Sequence, residues 1–312
     1  MSIFNERDSV LLVGEGNFSF AAALSRQNFN VELVATCYES ACQGAAERNV
    51  DYLRANGIRV LFDVDATKLE ECPSLKSRQF DKIIFNFPHV GGKMRIERNR
   101  GLLRGFFASS ARMIKEDGRV LVTLCNGQGG TPVDEPRRRW DDSWKIVEMA
   151  AHGNFVLTRV EPFLWRSLPD YVVTGYRGLD KRFHTAGSWT YCFARTEPPV
   201  AHNIAPRNKI DASECAADNV TWKDTTHHIR DKSDRRLKCI YPCTFTFDLT
   251  LSTDGDFSTA EFYRSLYNYA ASIIENVDLI DCYLSPVDGR IKRTYRIDYK
   301  SNYVPLYRGR SI

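Results

Sequence analysis

Short apolar runs alternate with stretches of helical spacing through the first 195 residues of this chain, and this alternation most constrains its fold. Five apolar runs predict buried strands at residues 9–13, 31–36, 60–62, 81–85 and 120–124. Three stretches of helical spacing predict helices at residues 17–27, 41–56 and 102–114. Strands that alternate with helices indicate an α/β fold with a mostly parallel, doubly wound sheet, covered by helices on both faces.

A glycine-rich loop lies between the first predicted strand and the first predicted helix. Glycines let the backbone pass close under a cofactor, and the start of a helix offers N–H groups that have no partner within the helix. A dinucleotide-binding loop would have a third glycine where this sequence has Ser19. The loop therefore favours a cofactor without a pyrophosphate, such as S-adenosylmethionine. The residues predicted to hold it here are Gly14, Glu15, Gly16, Asn17 and Phe18.

Acidic residues follow the second and third predicted strands. Glu39 lies about 20 residues beyond the glycine loop, where a carboxylate can accept hydrogen bonds from ribose hydroxyls. Asp65, next to Ala66, suits the adenine amino group. Either carboxylate alone would be explained as a helix cap or a solvated loop charge. Ligands of such sheets bind at the carboxyl ends of the strands, so the order of these features favours a cofactor site that includes Glu39, Asp65 and Ala66.

The loop after the fourth predicted strand contains the sequence Asn86-Phe87-Pro88-His89 and faces the same edge of the sheet. The Asn86 amide offers a donor and an acceptor to a base edge, and Pro88 restricts the loop. The alternative is a tight turn rich in turn-forming residues, but the position at the ligand-binding edge favours function. We predict Asn86, Pro88 and His89 as catalytic residues. His89 is the candidate general base, because imidazole titrates near working pH, or it only packs against the substrate ring.

The segments at residues 12–20, 64–67 and 80–91 together resemble the Rossmann-like domain of eukaryotic large-subunit rRNA uridine-N3 methyltransferases. Weaker similarity extends the resemblance over residues 9–195, and the family pattern has Asp where this chain has Glu39. The resemblance implies S-adenosylmethionine-dependent methylation of a uridine that is unpaired or flipped out, because N3 lies on the pairing edge. It also implies that residues 155–157 and 189–193 form the last strands of the sheet, one of them antiparallel.

The composition changes after residue 196. Residues 197–236 predict a linker, and the order strand, helix, strand, strand in residues 237–312 predicts the beginning of a small α+β ferredoxin-like domain. Ser258 and Glu261 fit a capping box at the start of its helix. Residues 241–249, 277–281 and 293–301 resemble the ferredoxin-fold anticodon-binding domain of phenylalanyl-tRNA synthetases. That family continues into a second helix and a fourth strand, so we expect either an incomplete domain here or a linker that supplies the missing cover.

Three basic runs suggest RNA as the partner, although the net charge of +4 alone says little. The first runs from Lys93 to Arg104 and includes Arg95, Arg98 and Arg100. The second, Arg137, Arg138 and Arg139, precedes Trp140, which could stack on a base, and the third lies between Arg290 and Lys300. One such run is usually a solvated face, but three favour binding of RNA phosphates, with rRNA preferred over tRNA.

The remaining sequence features limit the class of protein. No apolar run reaches the ~18 residues of a membrane span, and no secretory signal is present, which predicts a cytoplasmic protein with the nucleolus as the alternative. The nine cysteines contain no Cys-x-x-Cys pair, so no metal site is predicted. Two alternatives stay open: a non-catalytic RNA- or tRNA-binding protein with a degenerate methyltransferase fold, and methylation of tRNA or of a protein.

Overall fold

The computed structural model describes residues 4–27, 29–90, 95–163, 167–176, 181–182, 184–196, 221–222, 237–270 and 273–309. The chain divides into two compact units. The first contains the described residues up to Thr196 together with Leu237–Tyr241, and the second contains the remainder. Most of the predicted linker, residues 197–236, lies outside the described residues.

The first unit is built on a seven-stranded sheet. Its strands, in chain order, are β1 Ser9–Val13, β2 Glu32–Thr36, β3 Arg59–Leu61, β4 Phe80–Asn86, β5 Ile114–Leu124, β6 Phe155–Pro162 and β9 Trp189–Arg195, while β7 Gly175–Tyr176 and β8 Lys181–Arg182 form a separate two-stranded sheet. The order in the large sheet is β3-β2-β1-β4-β5-β9-β6. The pairs among β3, β2, β1, β4 and β5 are parallel, and β9 is antiparallel to β5 and β6. This arrangement confirms the predicted Rossmann-like fold with one antiparallel strand near its end.

Helices cover this sheet, namely α1 Ser19–Arg26, α2 Ala45–Ala55, α3 Ile96–Met113 and α4 Ile146–Ala151. The strands are almost continuously apolar because both faces are covered, and every residue of β1 is buried. Helix α3 begins six residues before the predicted start at residue 102. Its first turns contain the buried polar residues Asn99 and Arg100. The apolar periodicity of the sequence therefore does not reveal these turns as helical.

The second unit contains three antiparallel strands and a helix. These are β10 Thr244–Thr253, α5 Thr259–Ala270, β11 Ile274–Leu284 and β12 Ile291–Lys300, with the sheet order β10-β12-β11. Helix α5 begins as predicted, because the Ser258 hydroxyl accepts the N–H of Glu261 at 3.3 Å. The strand predicted from residue 240 begins only at Thr244, since Ile240 belongs to the first unit and donates its N–H to the Leu157 carbonyl within that unit.

Candidate active site

The register of the central strands brings the two predicted loops to one level of the sheet. Val13 at the end of β1 pairs with Phe85 of the neighbouring parallel strand β4. Gly14 therefore leaves the sheet beside Asn86, which immediately follows Phe85. Because parallel strands end at a common edge, the glycine loop and the Asn86 loop flank the same crevice.

The backbone of the glycine loop is accessible and requires its glycines. Gly14 and Gly16 are exposed, although the strand before them is buried. Gly14 has φ +67°, and a Cβ there would lie 2.4 Å from Cε2 of Phe85. A Cβ on Gly16 would lie 2.8 Å from the Thr174 side chain. Both positions therefore need glycine for packing as well as for any close approach of a cofactor.

Glu15 lies between these exposed glycines, but its side chain turns inward. It is buried, and its carboxylate accepts the N–H of Ala21 in the first turn of α1 at 3.1 Å. Burial raises the pKa of Glu15 to about 7, and the Ala21 hydrogen bond offsets part of this rise. A buried acid beneath an open loop suits a cofactor that brings positive charge, as the sulfonium and ammonium groups of S-adenosylmethionine do.

Asn17 and Phe18 complete the predicted loop in different ways. The Asn17 side-chain amide donates to the Val172 carbonyl at 2.9 Å, which connects the loop to the segment after β6. Phe18 has no exposed surface, and its ring packs edge-on against Phe62 at 5.6 Å. Contrary to the prediction that Phe18 contacts the cofactor, the residue has no surface exposed to a ligand in this structure.

The predicted acidic residues follow the neighbouring strands β2 and β3. Glu39 is exposed, and its backbone carbonyl accepts the N–H of Asp63 at 3.0 Å. One oxygen of Asp65, Oδ1, accepts both the N–H and the hydroxyl of Thr67 at 2.8 Å. Through Oδ1, Asp65 therefore stabilises the local turn. Its other oxygen, Oδ2, has no hydrogen bond to a described residue. Ala66 is buried beside it. Glu39 and Asp65 thus offer carboxylate oxygens that are able to accept hydrogen bonds from a ligand.

The loop at Asn86–His89 is held in an uncommon backbone conformation. Phe87 has φ +51°, a left-handed value that is unfavourable for a residue with a Cβ, and it donates its N–H to the Thr123 carbonyl at 2.9 Å. Its buried ring packs edge-on against Phe163 at 5.5 Å. His89 is half-buried near Trp144, and burial lowers its pKa below the ordinary value. His89 is thus a neutral imidazole at pH 7, able to accept a proton.

Two threonines that the sequence did not single out orient Asn86. Thr123 donates its hydroxyl to Asn86 Oδ1 at 2.7 Å, and its oxygen lies 3.0 Å from the hydroxyl oxygen of Thr190. Threonine is ordinary in strands, so only the strand register distinguishes these two from others.

Helix α3 supports the loops around His89 through two buried polar residues. Asn99 accepts the N–H of Val90 at 2.9 Å, directly after the Asn86–His89 loop. The Arg100 guanidinium donates to the carbonyls of Ser143, at 3.0 and 2.6 Å, and Asp141, at 2.8 Å. Arg100 is therefore a structural residue, which corrects its prediction as part of an RNA-binding run.

The basic runs differ in whether their charges are already paired. Arg95, Arg98 and residues 137–139 are exposed, and no ion pair connects them to other described residues. Lys93 lies outside the described residues. Trp140 is 36% exposed, and the Lys145 ammonium lies 5.6 Å from the centre of its ring.

The third basic run, in the second unit, is largely neutralised. Its ion pairs are Arg290–Asp254 at 3.6 Å, Lys292–Asp288 at 2.8 Å, Arg296–Asp248 at 2.9 Å and Lys300–Glu275 at 2.8 Å. The interleaved Tyr295 has no exposed surface. Four charges of the run thus have acidic partners, whereas Arg293 has no ion pair to a described residue, so the structure counts against the prediction that the whole run binds RNA.

The comparison with protein families identifies one match. Residues 11–175 match the family model described as BMT5-like, rRNA (uridine-N3-)-methyltransferase BTM5-like. This match confirms the resemblance seen in residues 12–20 and 80–91.

Among curated proteins, human ferredoxin-fold anticodon-binding domain-containing protein 1 is 46% identical over 194 residues, which cover 61% of this chain and 31% of that protein. The chain thus spans about a third of the length of this relative. The 25S rRNA (uridine(2634)-N(3))-methyltransferase of Saccharomyces cerevisiae is 23% identical over 232 residues, 54% of this chain and 66% of that protein.

Similar solved structures include a TehB-like SAM-dependent methyltransferase from Corynebacterium glutamicum, with a TM-score of 0.38, 15% identity, and coverage of 62% of this chain and 84% of that chain. TrmN from Thermus thermophilus has a TM-score of 0.38, 16% identity, and coverage of 61% of this chain and 45% of that chain. Among the helices that the structure describes, none is long and apolar enough to cross a membrane.

Proposed function

Because the chain belongs to the BMT5-like family, we propose that it transfers a methyl group to N3 of a uridine in rRNA. One observation is central to this proposal. Strand register brings the open glycine loop and the Asn86 loop to the same level on adjacent strands, so a methyl donor on one loop can reach a base on the other.

S-adenosylmethionine is the cofactor, and it supplies an electrophilic methyl group on a sulfonium. The exposed backbone at Gly14 and Gly16 would bind its polar end, and the Glu15 carboxylate, when ionised, would provide negative charge beside that backbone. Glu39 would accept hydrogen bonds from its ribose, and Asp65 Oδ2, which has no hydrogen bond to a described residue, would accept one from its adenine. These residues bind and orient the methyl donor, and positioning of this kind can supply up to ~7–11 kcal/mol of the barrier reduction.

The residues of the Asn86 loop act on the uracil. N3 of uridine must lose its proton to become a nucleophile, and we assign the His89 imidazole, whose pKa burial lowers, to accept it. Asn86 holds the pairing edge of the base, and Pro88 with the left-handed Phe87 fixes the loop. The half-buried position of His89 keeps its imidazole unprotonated at pH 7, as this role requires.

The exposed arginines of the first unit that have no ion pair to a described residue provide the attraction for RNA. Arg95 lies just before α3 and Arg98 lies in its first turn, after the end of β4. Residues 137–139 lie after the end of β5. Both groups therefore follow the carboxyl end of a central strand. Each phosphate that they neutralise adds salt-dependent affinity. rRNA is the proposed substrate, and tRNA is the second RNA to compare with it.

The experiment that tests this function compares Asn86→Ala with the wild type. Label from methyl-labelled S-adenosylmethionine is followed into rRNA and tRNA fractions, with Asn276→Ala, an asparagine of the second unit, as the matched control. We expect Asn86→Ala to lose about a hundredfold in methylation rate while it still binds S-adenosylmethionine in calorimetry. Full methylation by Asn86→Ala would contradict the assignment of Asn86 as a residue that holds the uracil. Absence of cofactor binding by the wild type would favour a non-catalytic RNA-binding protein.

A further inference from the structure

We propose that Thr123 and Thr190 fix the orientation of the Asn86 amide, and that this orientation makes the site select uracil over cytosine. The inference rests on the proposed function and assigns a specificity role to two residues remote from the loop in sequence. It follows from the hydrogen bonds of three neighbouring strands.

The three side chains form one row across the sheet. Asn86 of β4 pairs with Thr123 of β5, and Thr123 pairs with Thr190 of β9. Thr123 is 1% exposed and Thr190 is 9% exposed, whereas Asn86 is partly exposed at the end of the row. Two buried hydroxyls therefore lie behind one accessible amide.

The hydroxyl hydrogens determine which way the amide faces. With Oδ1 towards Thr123, the Thr123 hydroxyl donates to Asn86 at 2.7 Å and accepts from Thr190 at 3.0 Å, so both hydroxyl hydrogens are used. With the amide reversed, Asn86 would donate to Thr123 and Thr123 would donate to Thr190. The buried Thr190 hydrogen would then have no acceptor among the described residues, which is unfavourable. The threonines thus keep the Asn86 NH₂ group on the accessible side.

An NH₂ group on that side distinguishes the two pyrimidines. Uracil presents the carbonyl oxygen O4 next to N3, and this oxygen accepts a hydrogen bond from Asn86. Cytosine presents an amino group at the same position, so two donors would face each other. A site built to hydrogen-bond one partner strongly rejects an analogue that leaves its polar group unpaired. Thr123 and Thr190 are therefore positioning residues that act through Asn86.

The test uses two transcripts of large-subunit rRNA. The first contains the uridine that the wild-type enzyme methylates, mapped beforehand, and the second has cytidine at that position. The measured quantity is the ratio of initial rates that give 3-methyluridine and 3-methylcytidine. Thr123→Val removes the hydroxyl at nearly constant volume and frees the amide to rotate. We expect this ratio to fall at least about tenfold, as expected for loss of one discriminating hydrogen bond, with unchanged affinity for S-adenosylmethionine.

Three further variants separate specificity from folding. Thr123→Ser keeps the hydroxyl and should restore the wild-type ratio. Thr190→Val should lower the ratio by a smaller factor, and it provides the test if Thr123→Val does not bind the cofactor. Thr158→Val is the matched control, because its hydroxyl donates to the Cys192 carbonyl of the neighbouring strand rather than to the Asn86 row, so its loss should leave the ratio unchanged.

The outcomes that overturn the inference are distinct from failure of the proposed function. If Thr123→Val and Thr190→Val slow both reactions equally, the threonines are only structural, while uridine methylation by the wild type still stands. If the wild type forms no 3-methyluridine on the first transcript, the proposed function fails and the specificity inference fails with it.

Discussion

Replacing Glu15 with glutamine should stabilise the protein at neutral and alkaline pH but not at acidic pH. The Glu15 carboxylate is buried, and burial raises its pKa from 4.5 to about 7. The folded protein therefore prefers the protonated acid. Glutamine imitates that neutral form, and its oxygen can still accept the N–H of Ala21.

The sign and size of the effect follow from proton linkage. Below pH 4.5, Glu15 is protonated in both the folded and the unfolded states, and its ionisation costs nothing. As the pH rises towards 7, the unfolded state loses its proton first, so the free energy of unfolding falls. Above pH 7 the loss is complete. Each pKa unit corresponds to about 1.4 kcal/mol, so the rise to about 7 destabilises the wild type by roughly 3 kcal/mol.

The assay is urea denaturation of the wild type and Glu15→Gln between pH 4.5 and 8.5, with the exposed Glu116→Gln as the control. We expect Glu15→Gln to match the wild type near pH 4.5 and to exceed its stability by roughly 3 kcal/mol at pH 8. In calorimetry, wild-type affinity for S-adenosylmethionine should rise between pH 6 and 8, because positive charge binds best above ionised Glu15. The same pH dependence of stability in wild type and Glu15→Gln would refute this reasoning.

Three other perturbations have defined outcomes. Gly14→Ala places a side chain at positive φ and should cost at least about 1–2 kcal/mol in thermal denaturation; an unchanged melting temperature would contradict this. Asn99→Ala should lower kcat for RNA methylation while cofactor affinity stays constant, because the Val90 N–H loses its acceptor; a lowered cofactor affinity would point to general unfolding. Alanine at residues 137–139 should reduce the slope of log affinity against log salt by about 2 for single-stranded RNA. Arg296→Ala, whose charge is already paired, should leave that slope unchanged, and equal effects would argue against an arginine-specific RNA surface.

Much of the fold is predictable from sequence because the buried central strands appear in the sequence as short apolar runs. Strands such as β1 and β4 lie under helices on both faces, so their sequences are apolar runs that end at glycine or at a polar loop. The two loops of the site follow such runs, which allows their positions at one edge to be predicted. The start of α3 is not predictable in this way, since buried Asn99 and Arg100 interrupt its apolar pattern.

The features that the sequence does not reveal depend on cross-strand pairing. Arg296 lies in a basic run along the chain, but in the sheet it pairs with Asp248 of the neighbouring strand. Likewise, Thr123 and Thr190 become neighbours of Asn86 only through the register of β4, β5 and β9. The local sequence pattern does not specify the register between strands that are far apart in the chain. The direction of the Asn86 amide and the ion pairs of the basic run between Arg290 and Lys300 are therefore seen only in the structure.

The most direct test of the central claim is the identity of the product nucleoside. Unmodified large-subunit rRNA is incubated with the protein and methyl-labelled S-adenosylmethionine, digested to nucleosides, and separated by liquid chromatography with mass spectrometry. The account predicts that the label appears in 3-methyluridine and that Asn86→Ala forms this product about a hundredfold more slowly. Label in a different nucleoside, or on the protein alone, would contradict the account.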